Sequence, residues 1–124
     1  MYSAAFQTTF NAWLDRALAE PIPPGVMAFS FNLTKPTTIE VIGSESYSDD
    51  DPDWASKEAF RPTTEDLLLP SPEESKDWDA VLAYAKQAIY SYLDRPSAGS
   101  ARLKKATAVA VGFIDGDLHK VWPR

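Results

Sequence analysis

Three acids at alternate positions, Asp49, Asp51 and Asp53, are the first residues whose type and spacing suggest chemistry. Alternate carboxylates open the loop that wraps calcium in a helix–loop–helix site, because a hard cation takes oxygen ligands. The pattern then departs from that loop. Trp54 stands where glycine is needed, and Phe60 where a two-oxygen glutamate is needed. A looser divalent-cation site remains an alternative. Acid–base chemistry would draw on His119, the only histidine, or on a carboxylate pair among Glu40, Asp115 and Asp117. No glycine-rich phosphate loop accompanies them, and the absence of cysteine removes thiolate ligands, disulfides and a cysteine nucleophile. The expectation is a protein that is not an enzyme, with no catalytic residue, no metal ligand and no cofactor assigned.

The aspartates belong to a larger feature. From Glu45 to Asp79 the chain carries twelve acids against Lys57, Arg61 and Lys76, a local charge of −9 in a chain of −6 overall. At the centre, Ser48-Asp49-Asp50-Asp51-Pro52-Asp53-Trp54 wraps charge around one large aromatic. Such a surface repels phosphates, so nucleic acid and anionic membranes are excluded as partners and a basic protein is favoured. Charge would speed encounter and a buried aromatic would anchor the contact. Tyr47, Asp49, Asp50, Asp51, Asp53 and Trp54 are therefore the candidate partner-binding residues, with Trp54 equally suited to the core. Arg102, Lys104 and Lys105 are too few for a nucleic-acid footprint and read as a solubilising loop or as charge balance for the acidic segment.

Periodicity supplies the elements that must position these residues. Between Ser3 and Glu20, Phe6, Phe10, Trp13, Leu14, Ala17 and Leu18 fall on one helical face, and Pro21, Pro23, Pro24 and Gly25 end it. Val26–Thr34 and Thr37–Gly43 alternate as two half-buried strands joined at Lys35-Pro36, an expected antiparallel hairpin. A long acidic connection at about 44–70 follows, irregular but tethered, with a helical turn expected around Asp53 to Phe60 and Trp54 and Phe60 as its anchors. Ser71-Pro72-Glu73-Glu74 has the form of a helix start. From there Trp78, Val81, Leu82, Ala85, Ile89, Tyr92 and Leu93 trace one apolar face, and Arg95 to Ser100 breaks the helix.

Thr107–Ile114 is apolar on both faces, as in a central strand, and its small face of Ala108, Ala110 and Gly112 predicts a helix in close approach. Asp115-Gly116-Asp117 supplies a turn into a last strand, Leu118–Trp122. The reading is an α+β fold in the order α-β-β-loop-α-β-β. Four antiparallel strands carry two main helices on one face.

A chain of 124 residues with 44% apolar residues and 15 aromatics has enough material for one core, so a single domain over 1–124 is expected. The N-terminus lacks a basic leader, with Asn11, Asp15 and Arg16 interrupting its apolar residues, and no run approaches the ~18 apolar residues that span a bilayer. A soluble, cytoplasmic protein is expected.

Ile39-Glu40-Val41-Ile42-Gly43-Ser44, the acidic run from Asp49 to Ala55, and Ala108-Val109-Ala110-Val111-Gly112-Phe113-Ile114-Asp115-Gly116-Asp117 together resemble small bacterial immunity-like proteins. These are cognate inhibitors of polymorphic toxins, including those of type VI or contact-dependent systems. The resemblance implies a cytoplasmic protein that binds one toxin domain, with a basic active-site surface, and covers that active site. The alternatives are a divalent-cation-binding or small enzymatic domain, or a self-associating module using Leu67-Leu68-Leu69.

Overall fold

The computed structural model describes residues 4–34, 38–68, 78–113 and 118–123. Helix α1 (Ala4–Ala19) precedes strands β1 (Ala28–Thr34) and β2 (Thr38–Ser44). A 3-10 turn (Pro52–Ser56) and a two-residue strand β3 (Leu67–Leu68) interrupt the long connection. Helices α2 (Trp78–Asp94) and α3 (Ala98–Lys104) lead to strands β4 (Ala108–Phe113) and β5 (Leu118–Trp122). The proposed helix start at Ser71 and the turns at Lys35-Pro36 and Asp115-Gly116-Asp117 lie outside the described residues.

The fold is α+β, but among the described residues the sheet has five strands, in the order β3-β2-β1-β4-β5, and is mixed. β1 pairs antiparallel with β2 and parallel with β4, where Phe29 faces Val109 and Phe31 faces Val111. The expected all-antiparallel arrangement of four strands is thereby corrected. Side-chain alternation reports which face a residue takes, not which way its strand runs. Direction is decided by the helical return: the turn after α3 brings Thr107 beside Met27, with Thr107 N–H donating to the Met27 carbonyl at 2.7 Å. β4 thus starts where β1 starts and runs with it.

The three described helices cover one face of the sheet. Phe6, Phe10, Trp13 and Leu14 of α1, Ala85, Ile89 and Tyr92 of α2, and Leu103 of α3 meet Phe29, Phe31, Ile39, Val41, Val109 and Val111 in one buried cluster. The helical period that predicted α1 and α2 is the period of this contact.

α3 is the unexpected helix, because Pro96 and Gly99 read as breakers. Ser97 instead caps it: its hydroxyl accepts from Ser100 N–H at 3.0 Å while the Ser100 hydroxyl accepts from Ser97 N–H at 3.3 Å. Gly99 is required by packing, since a Cβ there would overlap the Tyr92 hydroxyl. Arg102 and Lys104 are therefore not on a loop. The Arg102 guanidinium lies 5.1 Å from the Phe29 ring centre, and Lys104 lies 6.0 Å from that of Trp122.

The sheet's second face and its acidic segment

Strand alternation sends a different set of side chains to the face away from the helices. Register places Ile42, Ser30, Ala110 and Lys120 in one row across the four long strands, and Glu40, Asn32, Gly112 and Leu118 in the next. The small residues of β1 and β4 do invite a close approach, but by the acidic connection rather than by a long helix. Trp54 of the 3-10 turn packs with Ala28 and Ala110 in a second apolar cluster, joined at its edge by Tyr47, Ala55 and Leu118. Its indole is 3% exposed. Trp54 is thus a core residue of the isolated chain and supports the aspartates from beneath.

The connection is ordered by local hydrogen bonds of the kind its composition favours. The Ser48 hydroxyl accepts from the N–H groups of Asp50 and Asp51, both at 3.2 Å, and Asp51 caps the 3-10 turn by accepting from Asp53 N–H at 3.0 Å. Ser56 closes the turn with a bond to the Asp53 carbonyl at 2.9 Å. Beyond it, Phe60 is 5% exposed and bridges to Gly43, whose N–H donates to the Phe60 carbonyl at 2.9 Å. Gly43 allows that approach, since a Cβ there would stand 2.8 Å from Val26 and 3.1 Å from Phe60. Trp54 and Phe60 anchor the segment as the sequence suggested.

Its far end is held by Glu20, the residue that follows α1. The Glu20 carboxylate accepts from Thr63 N–H and Thr64 Oγ1, each at 2.7 Å, and from Thr63 Oγ1 and Thr64 N–H at 3.0 and 3.1 Å. These donors hold its pKa down, from 4.5 to about 2.

Electrostatically the segment is uneven. Asp49, Asp50, Asp51 and Asp53 are all exposed, while Tyr47 is partly buried. Asp49 accepts a short hydrogen bond from the Tyr47 hydroxyl and lies 3.6 Å from Lys120 Nζ on β5. The Tyr47 hydroxyl, then the Lys120 ammonium, hold the Asp49 carboxyl below its usual range. Burial and the neighbouring Asp49 push the Tyr47 phenol up to about 12. The structure therefore brings Tyr47, Asp49 and Trp54 together at the base of the loop and leaves Asp50, Asp51 and Asp53 outward.

Next to the turn, a polar relay crosses the second face. Ser30 Oγ donates to Asn32 Oδ1 at 2.6 Å, and Asn32 Nδ2 reaches Glu40 Oε1 and the Ala55 carbonyl at 3.5 Å. Glu40, 9% exposed, pairs with Arg61 at 2.8 Å, and Arg61 also pairs with Glu58 at 2.6 Å. Arg61 reaches Glu40 only through tertiary contact, so no local spacing marked that pair. A groove of about 260 Å³ lies along this row, bounded by Asn32, Glu40, Asp53, Glu58, Phe113 and Leu118.

The other candidate groups do not converge. His119 pairs with Val111 and so takes the helix side of the sheet, whereas Glu40 takes the second face. The sheet separates them, and they share no site. Asp115 and Asp117 lie outside the described residues. Among the described residues, no three acidic or imidazole side chains gather in a way that could hold a metal ion, and no helix is long and apolar enough to cross a membrane. No family model, curated protein or solved structure matches this chain.

Proposed function

We propose that this chain is a toxin-neutralising immunity protein, which binds a cognate antibacterial toxin domain through its acidic surface and blocks the toxin's active site. One observation carries the reading: Asp49, Asp50, Asp51 and Asp53 are exposed on a segment fixed to the sheet by Trp54 and by hydrogen bonds. A charged loop that is already ordered loses little conformational freedom on binding, so its electrostatic attraction is retained as affinity. Toxin domains that act on nucleic acids or nucleotides carry basic clefts, and a rigid row of carboxylates can stand in for the substrate's phosphates. Buried Trp54 contributes by holding the aspartates in place. The protein acts in the cytoplasm and needs no cofactor.

The test is affinity capture from native cell extract with the wild-type chain and the Asp49→Asn, Asp50→Asn, Asp51→Asn, Asp53→Asn variant side by side. A basic, stoichiometric partner should elute from wild type as salt rises and be lost from the folded variant. Equal capture of the same partner by both, with the same salt dependence, would sink the docking role.

A further inference from the structure

A buried backbone N–H or C=O needs a partner, and strand residues turn these groups alternately to one edge and the other. On the edge of β2 away from β1, Gly43 exchanges both groups with Phe60, its N–H donating at 2.9 Å and its carbonyl accepting at 3.1 Å. By the same alternation Val41 and Ile39 use that outer edge. Ile39 pairs there with Leu67 of β3. Val41 lies between these two pairings, and neither its N–H nor its C=O finds a partner among the described residues. Yet Val41 is only 3% exposed, so bulk solvent is no substitute.

A cavity of about 10 Å³ lies at that gap, walled by Trp13 and Ala17 of α1, Glu40 and Val41 of β2, and Arg61 and Thr64 of the acidic connection. We infer that it binds one ordered water molecule, which completes the hydrogen bonding of β2. The size suits a single water, whose centre needs roughly 10–15 Å³ and which takes two to four polar partners. Val41 N–H donates to the water oxygen, and the Val41 carbonyl accepts one of its protons. For the other proton, Thr64 Oγ1 keeps a lone pair free, since its own proton goes to Glu20 at 2.7 Å, and the Glu40 carboxylate is a second acceptor. The Trp13 indole N–H is already committed to the Glu65 carbonyl at 2.6 Å. The water thus stands in for the residue that a longer β3 would place opposite Val41. An edge strand with unpaired groups is a template for another chain's strand, and the water removes that template from β2. It belongs to the fold whatever partner the chain binds.

Two measurements on the wild-type chain test this: a high-resolution crystal structure, and water-to-amide cross-relaxation of the nitrogen-15-labelled protein in solution. The crystal should show one oxygen peak about 2.7–3.2 Å from the Val41 nitrogen. In solution, a cross-peak from water to Val41 N–H is expected, with NOE and ROE of opposite sign, the mark of a water that tumbles with the protein. Val41 N–H donating directly to a protein oxygen, or a cavity with no oxygen peak, would overturn the inference. So would a crystal peak without the solution cross-peak, because that water would exchange too fast to serve as a fixed partner. Thr64→Val takes a hydroxyl out of the cavity wall and leaves Glu40 as acceptor, so the cross-peak should persist in the folded variant. Its loss there would trace the signal to the threonine hydroxyl rather than to water, and the site would fall.

Discussion

Tyr47 and Trp54 meet edge to face with ring centres 5.2 Å apart, and Asp49, Asp50, Asp51 and Asp53 all lie between them in the chain. The two rings clasp the base of the acidic loop, so the charges they flank are displayed from a fixed platform. Mutual repulsion among the four aspartates favours an extended, mobile segment. The apolar contact of Trp54 with Ala28 and Ala110 opposes that tendency.

The clasp can be weighed directly. Trp54→Ala should cost about 3 kcal/mol, the usual range for truncating a buried large aromatic. It should also open the segment near Lys57 to trypsin. Urea denaturation and limited proteolysis check both effects. A loss below about 1 kcal/mol, within the range of an ordinary surface substitution or little above it, would mean the indole does not hold the loop.

Gly99 makes a different kind of prediction. Its α-carbon faces the Tyr92 hydroxyl, which itself donates to Asp15 Oδ1 at 2.7 Å. Gly99→Ala should destabilise by about 1–3 kcal/mol through overpacking between α2 and α3. Tyr92→Phe removes the offending oxygen, so the double variant should lose less than the sum of the single losses. Thermal unfolding of the four proteins completes the cycle, and strict additivity would show that the two residues do not compete for space.

Glu20 should give the fold an acid-sensitive component. Its folded pKa of about 2 lies below its ordinary value of 4.5, so the folded state favours the carboxylate. The associated stability is full above about pH 4.5 and is lost as pH falls from there through about 2. The urea midpoint measured between those limits should fall for wild type and fall less steeply for Glu20→Gln. Parallel curves would show that Thr63 and Thr64 do not select the charged form.

Arg61 should matter more than a half-exposed arginine usually does. Its carboxylate partner Glu40 is 9% exposed, so Arg61→Ala leaves a nearly buried charge without its counter-ion. Arg61→Ala is expected to cost more than about 1 kcal/mol, above the range of exposed pairs. Combining it with Glu40→Gln should recover part of the loss, as read from chemical denaturation.

Some of this was legible before any coordinates. The faces of α1 and α2 follow from apolar spacing and β1 and β2 from alternation, because burial on one side imposes each period locally. β4 follows from a run apolar on both faces, and β5 from the turn before it. A helical turn around Asp53 to Phe60, anchored by Trp54 and Phe60, was readable as well, and the structure forms it at Pro52–Ser56. The Ser97–Ser100 capping box was present in the sequence too, but Pro96 and Gly99 masked it. Their meaning as a helix start and a packing contact depends on what lies opposite. β3 gave little local signal, since two residues, Leu67 and Leu68, carry no period.

By itself, then, the sequence determined an acidic segment of −9, the absence of thiol chemistry, and the apolar faces of the main elements. Those are properties of neighbouring residues and of composition. Tertiary structure alone decided that β4 runs parallel to β1, that Trp54 is core, and that Glu40 answers to Arg61 rather than to His119. It also decided that the acidic segment lies on the face opposite the helices, over Ala28 and Ala110. Each of those outcomes depends on which distant residues share a face and a row of the sheet. That depends on strand order and direction, which no local pattern encodes.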